Sequence, residues 1–388
     1  MAALVTTNIL GTVVAMGLAT LRENLALTLI ANRDYENNIT AAKRFATVNV
    51  AVPAPVATRT VAPDVVPPAV TTVTPTSIPI TLTQWKEAPF AMDDKGMTQV
   101  DRGILPMQGN EAIKGLSNGI EDFLWALTHG LAGFYGFAGV SGTTPFATDL
   151  SAFLDGRKVA NNQLMNMDPR YMVINTDAEA NALGLRAFQD ASFRGDTDGI
   201  INGQIGRKLG ALWVMTQRVP IHTAGAGTLY LVNNGAGYPI GTKTITVDGG
   251  ALGALNVGDI FKFTGLAGLT GHAQTYQVQS SVGGATVTSI TFEPGLVAAV
   301  VDNEFMANKG SFVMNLLTHR DGISYAMAPL MDTIQVPGAT LTATAIDDIS
   351  GLSLRLEVSR QHRQVQWSFD ALYGGSIVRP NAGVFVAG

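Results

Sequence analysis

Apolar residues recur every three or four positions between residues 110 and 135, and this spacing predicts the longest helix of the chain. The stripe consists of Ile113, Leu116, Ile120, Leu124, Leu127, Leu131 and Phe134. Asn110 is placed to cap the helix, and Glu111 complements its positive end. A segment of this length forms a rod of roughly 35 Å, which suits either the spine of a domain or an ordinary core helix.

Short runs of alternating polar and apolar residues replace the helical pattern between residues 222 and 308. Glycine-rich turns separate five such runs, TLYLVN, TKTITV, DIFKFT, TYQVQS and TVTSITF. Strands at this spacing favour a small β-barrel or a sandwich. On both sides the pattern is typical of mixed α/β structure, so we expect this block to be an inserted domain.

The segment before the block supplies the clearest α/β signals. Residues 171–175 predict a short strand, and Asp177 can cap the helix that follows. The run LWVMTQRVP predicts another strand, which Pro220 ends.

Two further regions precede the long helix. In residues 1–44, Leu18, Leu21, Leu25 and Leu29 predict an amphipathic helical arm, because polar residues interrupt the stretch too often for a membrane span. Residues 45–84 hold most of the eight prolines between Pro53 and Pro89, with many β-branched residues. A long extended hairpin lying on a neighbouring subunit and a disordered linker both fit, and the near absence of charge favours the hairpin.

Composition narrows the classes of function. Charged residues make up 14% of the chain, against roughly a quarter in typical globular proteins. A surface with so little charge is expected to be covered largely by neighbours. The net charge of −5 does not favour tight phosphate binding. The absence of cysteine excludes disulfides and thiolate chemistry.

Tests for catalytic and metal-binding motifs fail. His319-Arg320-Asp321 copies a kinase tripeptide without the rest of the kinase signature. The five histidines show no metal-ligand spacing. The loop FRGDTDG at 193–199 holds an Arg-Gly-Asp triplet, and we interpret it as a charged loop that pairs with a neighbouring subunit through Arg194 and Asp196. No catalytic residue, cofactor or metal site is predicted.

Four longer segments, in this order, resemble a known family. They are TDAEANALG (176–184), ASFRGDTDGIINGQIGR (191–207), LTHRDGISYAMAPL (317–330) and WSFDALYGGSIVRP (367–380), and LNVGDIFKFTG (255–265) resembles a strand pair of the family's insertion. The chain thereby resembles the HK-ninety-seven capsid fold, specifically the P-twenty-two-type coat proteins of short-tailed phages.

The resemblance implies an α+β fold divided into six parts. These are an N-terminal helical arm (1–44), an extended loop (45–84), a peripheral domain with the spine helix (85–136), an axial α/β domain (137–221), an inserted β-barrel (222–308) and a return segment completing the axial and peripheral domains (309–388).

The implied function is that of a non-enzymatic major capsid protein of a tailed double-stranded DNA phage, assembled in the host bacterial cytoplasm and residing in the virion. Implied partners are many copies of itself in hexamers and pentamers, a scaffolding protein, a portal protein and DNA contacted non-specifically, with no membrane. Expected subunit-interface residues are Arg59, Asp64, Trp85, Arg194 and Asp196. The alternatives are an encapsulin-like cage, a β-rich tail protein or adhesin, and an enzyme of unknown type.

Overall fold

The structure of the chain is a computed structural model. It describes residues 26–34, 47–52, 75–99, 104–128, 136–190, 205–251, 253–265, 271–284, 286–330, 341–346 and 352–388, with the single positions 14, 17, 56, 58, 60 and 203. These residues form a mixed α+β unit with several sheets and a small closed barrel, which confirms the predicted fold class at this level. The boundaries of the six predicted parts stay predictions.

Helices and strands are numbered along the chain. The helices are α1 (Leu27–Ile30), α2 (Asp94–Gln99), α3 (Ile104–Thr128), α4 (Ser151–Asn162), α5 (Thr176–Gly184) and α6 (Arg186–Gln189), with a 3₁₀ turn at Arg320–Gly322. The strands are β1 (Val48–Val52), β2 (Thr76–Ile80), β3 (Gln84–Asp93), β4 (Gly136–Ala138), β5 (Arg170–Ile174), β6 (Arg207–Lys208), β7 (Ala211–Met215), β8 (Ile221–His222), β9 (Thr228–Val232), β10 (Thr244–Ala251), β11 (Ile260–Phe263), β12 (Tyr276–Val282), β13 (Ser289–Glu293), β14 (Phe305–Asn308), β15 (Phe312–Val313), β16 (Asn315–His319), β17 (Ile323–Ala328), β18 (Leu341–Ile346), β19 (Ser353–Gln361), β20 (Gln364–Ile377) and β21 (Gly383–Val386).

Helix α3 packs on one face of an antiparallel sheet made of β3 and β17–β20, here called the long sheet. The described part of its apolar stripe, from Ile113 to Leu127, is buried as the spacing predicts and contacts residues such as Phe369 and Tyr373 of β20. The helix begins six residues before the predicted start, so the assignment of Asn110 as its cap is wrong. Pro106 lies in the first turn of the helix, where proline is tolerated because the N–H groups there have no partner within the helix. Residues 129–135 lie outside the described part.

The second sheet, here called the mixed sheet, has the strand order β4-β21-β16-β5-β7-β6. It joins strands from before and after the barrel, since β16 pairs with both β5 and β21. The predicted strand at 171–175 is confirmed as β5. Asp177 is not the helix cap, because the side chain of Asn175 accepts the Ala178 N–H at 3.0 Å and Asp177 lies in the first turn of α5.

The inserted block closes into a six-stranded barrel in the order β10-β13-β12-β11-β14-β9. Aromatic rings fill its interior, among them Phe261, Phe263, Tyr276 and Phe292, whose ring centroids lie 5.3 to 6.5 Å apart. The sequence pattern left a barrel and a sandwich open and identified five strands. The sixth, β14, is only four residues long, and its pairing with β9 is what closes the barrel.

A two-stranded ribbon of β8 and β15 joins the barrel to the mixed sheet. His222 on this ribbon lies 2.7 Å from Asp259 of the barrel, measured from Nε2 to Oδ1, and both side chains are buried. Asp259 also accepts the backbone N–H groups of Gly225 and Asn256. The pair therefore connects the ribbon to the barrel by a buried polar contact rather than by apolar packing alone.

Residues 26–34 lie against α3 and the edge of β17 of the same subunit. The Asn32 N–H donates to Ile323 O at 2.8 Å, and the Tyr325 N–H donates to Asn32 O at 3.0 Å. Leu27 and Ile30 are buried, but Leu29 is 54% exposed, so its assignment to the buried stripe of the arm is wrong. Leu18, Leu21 and Leu25 lie outside the described residues. No helix among the described residues is long and apolar enough to cross a membrane.

Candidate assembly surfaces

An antiparallel hairpin of β1 and β2 lies against the long sheet on the face opposite α3. Its register runs from Val48 opposite Ile80 to Val52 opposite Thr76. Val50 and Ile80 are buried against Leu372 and neighbouring apolar residues of β17. We call this buried end of the hairpin, with Val50 and Ile80, the foot. Beyond the foot the hairpin is exposed at Thr76 and Ser77. The foot is thus anchored in the subunit, and in the sequence residues 53–75 connect its two strands.

Trp85 is the one predicted interface residue that the described part contains. It lies on β3, opposite Leu372 of β20, and its side chain is 65% exposed. Its indole Nε1 donates to Asp370 Oδ2 at 2.9 Å. The indole therefore lies beside the hairpin foot and covers part of Asp370. Arg59, Asp64, Arg194 and Asp196 lie outside the described residues, and their role stays a prediction.

A buried ion pair beneath Trp85 was missed by the sequence analysis. Arg355 Nε donates to Asp370 Oδ1 at 2.9 Å, and its second nitrogen reaches Oδ2, so the contact is bidentate. The two side chains are only 10% and 6% exposed. Since Phe369 and Ala371 face α3, strand alternation places Asp370 on the opposite face. The sequence offered one signal for this ion pair, a polar residue at nearly every second position of SLRLEVSRQ and QWSFDAL. That alternation indicated only that one face of the sheet is partly exposed.

A buried carboxylate on α3 holds residues 26–28. Glu121 Oε1 accepts the backbone N–H groups of Ala26 at 2.6 Å, Leu27 at 2.8 Å and Thr28 at 3.5 Å. Its second oxygen is buried and has no hydrogen-bond partner. Desolvation by burial raises the pKa of the Glu121 carboxyl above its ordinary value of 4.5, although the three N–H groups oppose the shift, and neighbouring Asp122 raises it further.

This arrangement predicts that acidification strengthens the fold around α3. Because the folded-state pKa lies above the unfolded value, the folded chain keeps a proton on Glu121 at pH values where the unfolded chain has lost it. The stabilisation that results is complete below about pH 4.5 and is lost as the pH rises through the folded-state pKa. Between neutral pH and 4.5, the melting temperature of the wild type should therefore rise relative to that of Glu121→Gln, which cannot titrate. If the melting temperatures of the two proteins changed equally with pH, Glu121 would not be the titrating group that stabilises this region.

The described residues hold no cluster of three or more His, Asp or Glu side chains able to bind a metal ion. The described histidines include His272, whose Nδ1 lies 2.6 Å from the buried hydroxyl of Tyr276, and His319, whose Nδ1 accepts the Asp321 N–H at 3.1 Å. These contacts hold loops and ribbons in place. The surfaces described above, rather than a pocket lined by convergent polar groups, are the candidates for function.

No protein-family model and no curated protein matches the chain. Solved structures similar to it include one of Mycobacterium phage Che8, with 16% identity over 93% of this chain and 90% of that one and a TM-score of 0.47. A capsid of cyanophage P-SCSP1u has 11% identity over 88% and 82% of the two chains and a TM-score of 0.46. The capsid of a native GTA particle has 10% identity over 95% and 89% of the two chains, and its TM-score is 0.48.

Proposed function

We propose that this chain is the major capsid protein of a tailed double-stranded DNA phage, which self-assembles into an icosahedral shell around the genome. The observation that carries the proposal is the β1–β2 hairpin. Its foot is buried in the subunit, and residues 53–75 between its strands carry only Arg59 and Asp64 as charges. A long segment with so few charges, attached to a well-packed foot, suits a contact with another copy, because exposed to water it would be an aggregation hazard.

The energetics of a shell fit this chemistry. A closed shell needs only modest interfaces, since each subunit makes several of them at once and the contacts reinforce one another. Proline-rich segments lose little conformational entropy when they dock, so more of the contact energy remains for assembly. The low charge fraction of 14% also suits a protein whose surface is largely covered by copies of itself.

The further partners of the proposed function rest on the sequence resemblance alone. They are a scaffolding protein during assembly, a portal protein at one vertex and DNA contacted without sequence recognition. A net charge of −5 supports weak contact with DNA, since the chain as a whole has no strong attraction for phosphates. Assembly would take place in the cytoplasm of the host bacterium.

Electron microscopy of the purified recombinant chain, expressed with and without a scaffolding protein, tests the proposal. Closed shells tens of nanometres across are the expected result. Only monomers or small oligomers in both preparations would overturn it. Shells that always contain one co-purified cellular enzyme would instead favour an encapsulin-like cage.

A further inference from the structure

One end of the mixed sheet presents three apolar side chains to solvent, and we call this group the apolar tip. It consists of Leu164 and Met167, on the turn between α4 and β5, and Leu209, on the turn between β6 and β7. Leu164 is 84% exposed and Met167 75%. These are the two most exposed large apolar side chains among the described residues. Nothing within the described subunit covers them.

Two residues of the tip have backbone conformations that disfavour a side chain. Leu164 has φ of 58° and Leu209 has φ of 53°, both in the left-handed region. Leu164 follows α4 where the Met165 N–H donates to Ala160 O at 3.0 Å, an arrangement in which glycine is the preferred residue. Two leucines therefore stand where glycine would be less strained, although neither packs in the core. Strained and exposed apolar residues of this kind indicate a contact outside the subunit.

The turns that carry the tip are held by hydrogen bonds. Arg170 donates to Met165 O and Asn166 O, each at 2.7 Å. Arg157 donates to Leu209 O at 2.9 Å and so ties the second turn to α4. A surface ordered in advance loses little entropy when a partner binds.

The charge around the tip is opposite to that of the whole chain. Among the described residues that form or hold the two turns, Arg157, Arg170, Arg207 and Lys208 are cations, and Asp168, which pairs with Arg207, is an anion. The chain as a whole has a net charge of −5, so the remainder of each copy is acidic. Charge complementarity therefore makes a second copy of this chain a fitting partner for the tip.

A recess along the same strands, here called the acidic groove, extends to their opposite end. It has a volume of about 310 Å³ and is lined by apolar side chains, including Ile174, Ile205 and Met215. Among the described residues that line it, Glu179 is the only charged one. Because β5 and β7 run parallel, the tip lies at their first residues, whereas the groove runs along β7 from Leu212 to Met215 and reaches Ile174 at the end of β5. Four steps along a strand separate the two ends by about 13 Å.

We propose that the apolar tip of one copy seats in the acidic groove of the next copy. This inference rests on the proposed function and specifies which surfaces join neighbouring subunits. Two different patches at opposite ends of one unit make a head-to-tail contact, and such contacts generate closed rings when the rotation between copies closes. The apolar side chains enter the recess, and the surrounding cations meet Glu179.

The first test replaces both strained leucines, as Leu164→Gly with Leu209→Gly. Glycine relieves the left-handed backbone at both positions, and neither leucine belongs to the buried core, so the melting temperature of the unassembled subunit should stay within a few degrees of the wild type. The fraction of chain found in shells should fall at least about tenfold, the equivalent of about 1.4 kcal/mol of contact energy. Unchanged shell formation by the double variant would overturn the proposal.

A matched pair at one exposed position tests the charge. Met167→Glu brings a negative charge towards Glu179 of the next copy and should block assembly, whereas Met167→Lys should assemble normally. Adding Glu179→Lys to Met167→Glu should restore shells. Equal behaviour of the two Met167 variants, or no rescue, would count against the tip and groove.

Cross-linking separates this proposal from the proposed function. The chain has no cysteine, so Met167→Cys with Met215→Cys introduces the only two thiols. Within one subunit they lie at opposite ends of the sheet, beyond the roughly 7 Å between Cα atoms that a disulfide allows. Oxidised shells should yield disulfide-linked ladders up to the size of a ring. If shells form but show no disulfide-linked ladders, the tip-and-groove contact is wrong and the proposed function is unaffected. If the unaltered chain forms no shells, the proposed function is wrong.

Discussion

Replacement of residues 53–75 by Asn-Gly is expected to give a subunit that folds normally and no longer closes shells. Val52 and Thr76 are cross-strand partners, so a two-residue turn can join β1 directly to β2. Asn-Gly adopts the type I′ turn whose twist matches the flanking strands. The foot of the hairpin keeps Val50 and Ile80 in the core, and only the segment that connects its two strands is removed.

The expected loss is large because the removed segment makes a whole contact with another copy in the proposed function. A standard protein interface buries about 800 Å² on each partner. Electron microscopy and sedimentation should show no closed shells, while the melting temperature of the subunit stays within a few degrees of the wild type. Arg59→Ser with Asp64→Ser is the matched control, since it keeps the segment and removes its charges. Normal shells from the Asn-Gly variant would show that this segment does not join subunits.

Asp370→Ala is expected to lower the free energy of unfolding by about 3–5 kcal/mol. The substitution leaves Arg355 charged, nearly buried and without its bidentate partner, and removes the acceptor of the Trp85 indole. Glu357 Oε2, 4.0 Å from Arg355, is too far away to replace two short hydrogen bonds. Urea unfolding followed by tryptophan fluorescence measures the change.

Two variants serve as controls for Asp370→Ala. Asp34→Ala removes an Arg–Asp pair of the same kind, with Arg320, but both of its side chains are exposed, so the cost should stay below about 1 kcal/mol. Arg355→Met with Asp370→Leu removes both charges and should recover most of the loss, because the uncompensated charge is what destabilises. If Asp370→Ala cost no more than Asp34→Ala, the buried pair would be unimportant for stability.

Local periodicity predicted the elements that bury one continuous face. The stripe from Ile113 to Leu127 matches the buried side of α3, and the alternating runs match strands of the barrel. Such patterns can be recognised in the sequence because each element buries one face, and the side chains of that face recur at a fixed spacing along the chain. Strand β3 received no prediction, since Pro89 and mixed polarity are typical of an edge strand and provide little signal.

The candidate surfaces were harder to predict, because they join residues distant in the chain. Trp85 was named as an interface residue, but its partner Asp370 lies 285 positions away. Glu121 looked like an ordinary polar residue of a helix, and only the docking of residues 26–28 makes it a buried acceptor of three N–H groups. The apolar tip was missed because Leu164 and Leu209 are unremarkable in sequence and unusual only in their backbone angles and exposure.

The sequence by itself determined the long helix, the β-rich block between residues 222 and 308 and the low charge, since these follow from local pattern and composition, and its resemblance to a known family implied the α+β class. The tertiary structure alone decided that the barrel closes through β14, that β16 unites the two halves of the mixed sheet, and that the apolar tip lies at the start of the strands along which the acidic groove runs. The physical reason is that pairing partners, burial and left-handed turns depend on contacts between segments far apart in the chain, which local periodicity does not specify.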